Sequence, residues 1–500
     1  MQRVLTPDQT RALEARYLKA SGIESIDLME RAAGGIVRVM QQLGDCAERL
    51  VVFACGPGGN GGDGFAAARL FANLQGRAIV IALTEESALT GDTLVNYHRA
   101  KETPGVAFAD IKDIDQLPRP ALWVDAMYGL GLNKPLTTSA RDLAERMEHD
   151  RTLGSRVLSV DIASGINGLS GCVQGIAVRA TDTVTFEYIK TGHVFEDGLT
   201  YSGVMHVTSI GMDKEPLEAD AFFYPTLEDA LIHVKPRARN SNKGTFGHLL
   251  VIAGSRGMAG AAALCALGAL KSGVGLVTIA CPDSIVDILQ AIAPCAMCVA
   301  LPEKNGAISD EAQAIIKAAL VRKTAVAIGP GLSTRASAII LDTVLDCSLP
   351  AVIDADALTI LSSHQHYRAK LHARHVLTPH IGEARRLVGR EDRSLGDWAD
   401  AIQALGATAL VKASVSVIAG YGRLIRTQGT NGLAKGGTGD VLTGIIGALL
   451  AQKYAPTEAA WIGAVVHGAA GERADSELGA MGMTAMDVID YLPEIWREIP

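Results

Sequence analysis

The stretch Gly436-Gly437-Thr438-Gly439-Asp440-Val441-Leu442-Thr443-Gly444 leads directly into the apolar run from Ile445 to Leu450. Because glycine adopts backbone angles that other residues avoid, this segment predicts a tight loop whose free amides open onto a helix N-terminus. Such an end attracts phosphate oxygens through its N–H groups and the positive pole of the helix dipole. Asp440 stands in the first turn. Its carboxylate can take a proton from a hydroxyl that attacks a phosphoryl group, or it can simply cap the helix.

Length and composition limit the class of protein. A chain of 500 residues exceeds what one hydrophobic core usually serves, so we expect two or three domains. It contains 48% hydrophobic residues and 53 glycines but only 9 Phe and 4 Trp, a composition typical of parallel α/β sheets. The net charge of -8 argues against nucleic acid as a partner. Neither a signal-type segment nor a membrane-length apolar run is visible, which predicts a cytoplasmic enzyme without a membrane partner.

The spacing of the cysteines does not favour a metal or redox site. Most of the eight lie in apolar segments, which predicts reduced and buried thiols. Cys295 and Cys298 form a C-x-x-C pair, but no second pair or suitably spaced histidine accompanies them. Their hydrophobic neighbours favour core packing over a metal or redox role.

A strand, a glycine-rich loop and a helix follow one another early in the chain. We expect the strand over Leu50 to Cys55, the loop over Gly56 to Gly64 and the helix from Phe65, an order that brings backbone amides to a pyrophosphate. The loop satisfies G-x-G-x-x-G, and Glu85 stands about where a ribose-binding acid would, so a nicotinamide dehydrogenase is one alternative. Asn60 and Asp63 argue for a different site, because a loop that only passes phosphates would not need these side chains.

Two later strands end in an aspartate, Asp125 and Asp161, and each is followed by a turn of small residues. In an open α/β sheet, side chains at the carboxyl ends of strands converge on the ligand crevice. We therefore expect Asn60, Asp125, Asp161 and Ser164 at one site, where their oxygen atoms suit a hard cation. The alternative is that each strand-end aspartate is a turn or capping residue.

Several segments of the first half match one family together. They are Leu28 to Ala32, the G-P-G-x-N-G-G-D-G loop, Asp125-Ala126 with Gly129 to Gly131, Ser159 to Ile162 with Ser164-Gly165, and Thr185-Phe186 with Lys190 and Gly192-His193. This half resembles the NAD(P)H-hydrate epimerases, the YjeF N-terminal domain. The resemblance implies a Rossmann-like three-layer sandwich over residues 1–213. It also implies interconversion of the R and S hydrates of NADH and NADPH, which are called NADHX and NADPHX.

The same resemblance implies the residues of the epimerase site. A potassium ion would lie at Asn60, Asp125 and Ser164, and Asp161 would serve as acid or base. Two positions depart from the family pattern, Gly59 where asparagine is usual and Ala163 where proline is usual. Contacts to the hydrate are implied for Gly59, Asn60, Gly61, Gly62, Asp63, Gly129, Leu130, Gly131, Leu132, Asn133, Lys134, Pro135 and Asp161.

The second half of the chain is predicted to form another α/β unit. After Met212 the chain becomes charged and irregular, so we place the boundary near residue 213 and a second domain over residues 214–500. Helical patterns over Ala259 to Lys271 and Asp310 to Arg322 alternate with short apolar strands, as in a mostly parallel sheet. The strands are expected near Gly247 and over Leu276 to Cys281, Ala325 to Ile328, Ala351 to Asp354, Val376 to Thr378 and Ala409 to Val411.

Loops at one edge of this second sheet carry further candidates. Lys412 ends a strand and can meet a nucleotide phosphate as a point charge. His380 follows a proline-stiffened turn and can donate to a substrate oxygen. As single residues, both are more often structural or solvated. Together with the G-T-G-D segment they indicate small-molecule phosphoryl transfer on a fold without a P-loop, because no G-x-x-x-x-G-K-[ST] occurs.

The order of these motifs resembles the ADP-dependent (S)-NAD(P)H-hydrate dehydratases of the ribokinase-like superfamily. Both resemblances together cover nearly the whole chain, in the order of a bifunctional hydrate repair family. Ala413 and Ser333 stand where the family usually has glycine, and we expect tighter loops there. The matching segments are Asn242 to Gly247, Gly254-Ser255 with Gly260 to Ala262, Gly329 to Gly331, Asp354 to Leu358, Thr378 to His380 with Glu383, Lys412, and Gly437 to Asp440.

This second resemblance implies that ADP phosphorylates the C6 hydroxyl of the S-hydrate and that phosphate then departs to restore the dihydronicotinamide. Asp440 would be the base, magnesium would bridge nucleotide oxygens, and Ala261, Gly331 and His380 would face the hydrate. We also expect an oligomer of identical chains. Nucleotide contacts are implied for Lys412, Ala413, Ser414, Val415, Ser416, Gly437, Thr438 and Gly439.

Other functions remain open from the residues alone. A ribokinase-like small-molecule kinase fused to a dinucleotide-binding domain would leave a stably phosphorylated product, whereas the dehydratase would release phosphate and NADH. A dehydrogenase would bind intact NAD in the first domain and exchange hydride. A non-catalytic first domain that only binds another protein would show no potassium-sensitive epimerisation.

Overall fold

The structure, a computed structural model, describes residues 2–44, 49–212, 222–389, 395–420, 422–426 and 429–499. The chain divides into two compact units, Arg3–Ala221 and Phe222–Pro500 with Met1–Gln2. The expected boundary at residue 213 falls within 213–221, outside the described residues. Among the described helices, none has the length and apolar character needed to cross a membrane.

The N-terminal unit alternates strands with helices. Its helices are α1 (Pro7–Ser21), α2 (Ser25–Gln42), α3 (Gly59–Asn73), α4 (Gly91–Lys101), α5 (Thr138–Thr152), α6 (Thr191–Val194) and α7 (Gly198–Tyr201). Its strands are β1 (Gln2–Leu5), β2 (Leu50–Cys55), β3 (Arg77–Ala82), β4 (Val106–Ala109), β5 (Leu122–Ala126), β6 (Arg156–Val160), β7 (Asp182–Phe186), β8 (Ile189–Lys190) and β9 (Val204–Thr208).

Seven of these strands form one parallel sheet in the order β4-β3-β2-β5-β6-β7-β9. Helices α2, α3 and α4 pack on one face around Ile36, Phe65 and Tyr97. On the other face, α5 packs Leu143 against Trp123. The expected Rossmann-like three-layer sandwich is confirmed. Because the strand order reverses between β2 and β5, the loops after these two strands flank the crevice where such sheets bind ligands.

The glycine-rich loop is shorter than the sequence suggested, because helix α3 begins at Gly59 and not at Phe65. A Cβ on Gly61 would come within 1.8 Å of the Gly56 carbonyl oxygen, and one on Gly64 within 2.8 Å of Cys55 Sγ. The missing side chains let the first turn of the helix lie directly against the end of β2. Glycines that looked like loop residues are therefore packing residues of a helix.

The C-terminal unit has a larger set of elements. Its helices are α8 (Leu227–His233), α9 (Ala259–Lys271), α10 (Val286–Ile292), α11 (Gln313–Leu320), α12 (Ala338–Leu345), α13 (Ala355–Ser363), α14 (Ile381–Val388), α15 (Leu395–Gln403), α16 (Thr438–Ala451), α17 (Pro456–Leu478) and α18 (Ala485–Arg497). Its strands are β10 (Phe222–Tyr224), β11 (His248–Ile252), β12 (Leu276–Pro282), β13 (Met297–Leu301), β14 (Glu303–Lys304), β15 (Ala307–Ile308), β16 (Ala325–Ile328), β17 (Ala351–Ile353), β18 (His375–Leu377), β19 (Thr408–Val411), β20 (Ser416–Gly420) and β21 (Gly422–Arg426).

The main sheet of this unit runs β13-β12-β11-β16-β17-β18-β19-β20-β21-β10. It is parallel from β13 to β19, and β20 and β21 continue it as antiparallel strands. The order reverses between β11 and β16, so the loops after these strands flank its ligand crevice. Helices α9 and α16 cover the sheet in close contact, since a Cβ on Gly444 would meet the Cys265 carbonyl oxygen at 2.0 Å.

Most of the predicted elements are confirmed, and α9 spans the expected Ala259–Lys271. The helix predicted from Asp310 to Arg322 is shorter, because a 3-10 turn over Asp310–Ala312 precedes α11. The described cysteines are all free thiols. Cys298 is half-buried, but Cys295 is exposed, so the prediction of core packing is wrong for Cys295. Cys295 lies two residues before β13 (Met297–Leu301), which is the edge strand of the sheet.

Candidate active sites

A cavity of about 650 Å³ opens in the N-terminal unit at the carboxyl ends of β2, β5 and β6. Pro135 is exposed and does not line it, and Gly61 and Gly62 are buried within α3. The cavity brings together most of the residues expected at the epimerase site. Those on its wall are Gly59, Asn60, Asp63, Gly129, Leu130, Gly131, Leu132, Asn133, Lys134 and Asp161.

Sequence reasoning assigned no site role to the part of the wall that α1 and β8 supply, although Lys190 belongs to a matched segment. Arg11 and Glu14 of α1 and Lys190 of β8 all line the cavity. Arg11 and Glu14 are three residues apart and so lie on one helix face. That spacing was readable, but their distance along the chain from the glycine loop gave no reason to join them to it.

Asp125 accepts several hydrogen bonds near the cavity. The Ser164 hydroxyl and amide donate to its two oxygens at 2.6 and 2.9 Å, and the Ser159 hydroxyl donates at 2.8 Å. Burial raises the pKa of Asp125, although these donors oppose the shift. No described cationic side chain forms an ion pair with Asp125. The buried carboxylate therefore has donors but lacks a balancing positive charge.

Asn60 lies next to this cluster. A Cβ on Gly129 would be 3.5 Å from the Asn60 side-chain oxygen, which is ordinary van der Waals contact, so the amide lies against the turn that follows β5. The Asn60 Nδ2 atom is buried without a hydrogen-bond partner among the described residues. An amide whose polar atoms are not all used by the protein remains available to a ligand.

Asp161 is held ionised by a buried network. Lys190 Nζ donates to Asp161 Oδ1 at 2.7 Å and also to Thr185 Oγ1 and the Phe186 carbonyl oxygen. Burial acts to raise the pKa of Asp161, but the Lys190 charge and hydrogen bonds outweigh it and lower the pKa below its ordinary value. Asp161 adopts a left-handed backbone (φ 63°), a strained conformation that is often found at functional sites.

His193 completes this network as a neutral ring. The Lys190 amide donates to Nδ1 at 3.0 Å, so the proton is on Nε2, which donates to the Asp161 carbonyl oxygen at 2.7 Å. Burial, with the nearby Lys190 charge, lowers the pKa of His193 to about 4. The ring thus positions the Asp161 backbone and carries no charge at neutral pH.

The C-terminal unit places Asp440 in the first turn of α16, as expected. Gly437 precedes the helix with φ 97°, and none of the described side chains caps the helix N-terminus. The amides of the first turn are therefore left for a ligand. Burial, followed by the charges of Asp354 and Asp356, raises the pKa of Asp440 to about 7, while Lys412 opposes the shift. A carboxylate with such a pKa can accept a proton near neutral pH.

Lys412, which the sequence places at a strand end as a possible phosphate ligand, forms an ion pair within the protein. Its ammonium group donates to Asp354 Oδ1 at 2.7 Å, and the Thr443 hydroxyl of α16 donates to Asp354 Oδ2 at 2.6 Å. A Cβ on Gly439 would be 3.4 Å from Lys412 Nζ, which places the ammonium beside the glycine loop. Asp354 thus links Lys412 to α16, and two N–H donors of Lys412 remain for a phosphate.

The residues expected to face the hydrate lie on neighbouring loops. A Cβ on Gly331 would be 2.9 Å from the Ala261 Cβ, so these two residues are adjacent. His380 is more than half exposed, and its Nδ1 accepts from the Gly382 amide at 2.9 Å. Nε2 of the neutral ring therefore carries a proton that can be donated to a substrate oxygen.

The segments expected to bind the nucleotide differ in which of their groups are available for contact. Val415 is fully buried and Ser414 is exposed, so the turn after β19 presents backbone and hydroxyl groups but not the valine side chain. The Thr438 hydroxyl donates to the Leu433 or Lys435 carbonyl oxygen, at 2.8 and 3.0 Å respectively. Thr438 thus uses its side chain to hold the glycine loop.

Both units present amide-lined turns and acidic side chains at the carboxyl edge of a doubly wound sheet. This arrangement is typical of enzymes that bind dinucleotides and nucleotide phosphates. Residues 249–494 match the family model of NAD(P)H-hydrate dehydratase, and residues 25–192 match that of the YjeF-related protein N-terminus. The chain belongs to the family of bifunctional NAD(P)H-hydrate repair enzymes. It is an enzyme with an epimerase unit and a dehydratase unit.

Relatives match over nearly the whole chain. A bifunctional NAD(P)H-hydrate repair enzyme of Thermofilum pendens is 32% identical over 99% of this chain and 97% of its own. The corresponding enzyme of Moorella thermoacetica is 34% identical over 95% of this chain and 93% of its own. A ribokinase-like superfamily protein from Enterococcus faecalis is 26% identical with a TM-score of 0.50, covering 57% of this chain and 100% of that protein. The expected ribokinase-like fold of the second unit is confirmed.

Proposed function

We propose that the dehydratase unit transfers the terminal phosphoryl group of ADP to the C6 hydroxyl of (S)-NADHX or (S)-NADPHX. The C6 oxygen attacks phosphorus and AMP leaves. The C6–O bond then breaks with loss of a C5 proton, which releases phosphate and restores the dihydronicotinamide. The observation that carries this proposal is Asp440, a carboxyl group with a pKa of about 7 in the uncapped first turn of α16.

Each part of the loop cluster has a role in this reaction. Asp440 takes the proton of the attacking hydroxyl, and the amides of Gly437 to Gly439 stabilise charge on the transferred phosphoryl group. Lys412 adds a positive charge beside them, and the turn from Ala413 to Ser416 contacts the nucleotide. His380, Ala261 and Gly331 contact the hydrate.

Magnesium would be held mainly by phosphate oxygens of ADP. The described residues contain no group of three or more His, Cys, Asp or Glu side chains arranged to hold a metal. Magnesium usually needs only one or two protein carboxylates when a nucleotide supplies the other oxygens, and Asp354 and Asp356 give this edge the negative charge to attract it. When bound, the ion would neutralise charge on the phosphates.

The epimerase unit interconverts the R and S hydrates in the 650 Å³ cavity, with Asp161 as an acid or base. A potassium ion would be held by Asn60, Asp125 and Ser164. These residues fit it, because within the described part of the chain Asp125 is a buried carboxylate without a cationic partner and the Asn60 Nδ2 atom has no hydrogen-bond partner. The ion would fix the turns after β2 and β5 beside the hydrate.

Supplying purified protein with mixed NADHX epimers, ADP and magnesium tests the whole proposal. The absorbance of NADH should reach the value expected from both epimers, with one AMP and one phosphate per NADH. A stably phosphorylated dinucleotide in place of NADH would instead show a ribokinase-like kinase. Replacing ADP by ATP in the same assay decides which nucleotide is preferred.

The potassium site is tested by Asn60→Ala, which removes a ligand without breaking any hydrogen bond of its Nδ2. Epimerisation by the parent should rise with potassium concentration, and the variant should lose this dependence at unchanged Tm. Dehydration of the S-epimer in the same chain serves as the control and should stay at the parental rate. A potassium response equal to that of the parent would remove Asn60 from the site.

A further inference from the structure

Four carboxyl groups, those of Glu14, Asp63, Asp92 and Asp161, line the epimerase cavity, and among the described residues only Asp161 forms an ion pair that balances its charge. Asp161 is paired with the buried Lys190. Asp63 comes from the first turns of α3 and Glu14 from α1, and both line the same cavity. None of the described residues makes a hydrogen bond to the Asp63 side chain. Asp63 is thus a carboxyl group at the ligand cavity that the fold itself does not use.

Epimerisation at C6 needs an acid as well as a base. The C6 hydroxyl is attached to a carbon next to the ring nitrogen, so it leaves when its oxygen is protonated and the nitrogen lone pair forms an N1=C6 iminium ion. Water must then add to the opposite face and lose a proton. An ionised carboxylate such as Asp161 can take that proton, but it cannot supply the first one.

We propose that Asp63 is the proton donor that expels the C6 hydroxyl as water, while Asp161 takes the proton from the water that adds back. This inference rests on the proposed epimerase function and names its second catalytic residue. One cycle turns protonated Asp63 and ionised Asp161 into ionised Asp63 and protonated Asp161. Transfer of one proton from Asp161 back to Asp63, directly or through water, restores the starting state, so atoms and charge balance.

The charges around the cavity favour this division of roles. Burial, followed by the negative charges of Asp161 and Glu14, raises the pKa of Asp63 well above its ordinary value, with Lys190 opposing. Lys190 donates to Asp161, Thr185 and the Phe186 carbonyl oxygen, so its hydrogen bonds are directed away from Asp63. Two carboxyl groups whose environments separate their protonation are the usual arrangement for an acid and base pair.

Other charged groups on the cavity wall set the background for any pH effect. They are Arg11 of α1, which pairs with Asp8, together with Asp92 of α4, which accepts from the Ser25 hydroxyl, and Lys134. Glu14 is the group whose removal changes the charge near Asp63 without removing a hydrogen bond of the Asp161–Lys190 pair. Burial and the Asp161 charge also raise the pKa of Glu14 itself.

The first experiment compares Asp63→Asn with the parent on mixed NADHX epimers in the full chain. The parent should convert both epimers to NADH. The variant should convert the S fraction at the parental rate and the R fraction at least about 100-fold more slowly, because an amide cannot donate the proton. The S-phase, which depends on the other unit, shows in the same trace that the chain is folded. Epimerisation within threefold of the parent would overturn the proposal.

The second experiment records the pH dependence of epimerisation for the parent and for Glu14→Gln. Protonated Asp63 is the active form, so the rate should fall as pH rises through its pKa. Removing the Glu14 charge lowers that pKa, and the falling limb should move to lower pH. A limb that does not move would contradict the assignment even if Asp63→Asn fails to fold.

Oxygen exchange gives a readout that a merely structural role would not change. In water enriched in ¹⁸O, each epimerisation should place one labelled oxygen at C6, and mass spectrometry of recovered NADHX counts it. Exchange should disappear in Asp63→Asn, whereas epimerisation without exchange in the parent would exclude expulsion of water. If the parent regenerates NADH from the S fraction alone, the epimerase function itself fails, and that outcome differs from every result for Asp63.

Discussion

At the scale of single residues, the pKa of Asp440 connects structure with rate. Burial and the charges of Asp354 and Asp356 raise that pKa to about 7, and a base works only when it is deprotonated. We therefore expect kcat/KM for dehydration of the S-epimer to rise with pH and to level off above about 7. Asp356→Asn removes one negative charge and should move the rising limb to lower pH. A rate that is constant between pH 5 and pH 8 in the parent would contradict Asp440 as the base.

Replacing Asp440 should lower the dehydration rate without destabilising the folded chain. Asp440→Asn should lower dehydration by at least about 100-fold and leave epimerisation unchanged. The matched control is Asp487→Asn, also in the first turn of a helix, where the aspartate only caps Thr484. That variant should keep dehydration, with a loss of about 1 kcal/mol in stability. Parental dehydration by Asp440→Asn would exclude the assigned base.

The same substitution has an expected effect on unfolding. The pKa of Asp440 is raised from 3.8 to about 7 in the folded chain, so the folded state binds the proton more tightly than the unfolded state. Stability therefore falls as pH rises between these values, by at most about 4 kcal/mol. Asp440→Asn should raise the Tm of its unit at pH 8 and change it little at pH 4. Calorimetry at both pH values measures this difference.

The residues that sequence could place at a site were those at strand ends and in glycine loops. Asn60, Asp125 and Asp161 lie at or just after the ends of parallel strands, and parallel strands fix which edge of the sheet their ends share. Glu14 was not predicted, because the docking of α1 beside that edge depends on tertiary packing. The Lys412–Asp354 ion pair was not predicted for the same reason, since it joins the ends of two strands that are far apart in the chain.

At the scale of elements, a matched pair of glycines tests the loop that precedes α16. Gly437 has φ 97°, and a Cβ there would come within 2.6 Å of Leu264 Cδ1. Gly436, its neighbour, has no atom within 4 Å of such a Cβ. We expect Gly437→Ala to destabilise the loop by roughly 1–2 kcal/mol and to lower dehydration. Gly436→Ala should leave the Tm unchanged. If the two variants had the same Tm, the left-handed backbone of Gly437 would not contribute to the stability of the loop.

A second pair tests the first turn of α3. A Cβ on Gly61 would lie 1.8 Å from the Gly56 carbonyl oxygen, whereas one on Gly59 would meet nothing within 4 Å. Gly61→Ala should therefore force the helix away from β2, destabilise the N-terminal unit by several kcal/mol and stop epimerisation. Gly59→Ala should leave stability unchanged. Dehydration of the S-epimer should persist in both variants and serves as the control for the other unit.

The start of α3 also shows where sequence-based prediction of elements reached its limit. Regular apolar strands and the alanine-rich α9 were predictable from pattern. The helix start at Gly59 was not, because glycine is a poor helix former and only its close contacts with β2 explain its presence in the first turn. The antiparallel pair β20 and β21 was likewise not predicted, since short apolar runs do not reveal their direction.

At the scale of the whole molecule, each site is built from residues of its own unit, Asp161 in one and Asp440 in the other. The S-epimer made by one chain can therefore be used by another chain through solution. We expect Asp161→Asn to convert only the S fraction of NADHX, and Asp440→Asn to convert neither. Mixing the two variants should restore conversion of both epimers, at a rate that rises with the concentration of the slower partner. If the mixture converted the S fraction alone, the epimer would pass between the two units of one chain without being released. The parent, supplied with pure R-epimer, would then show no free S-epimer during the reaction.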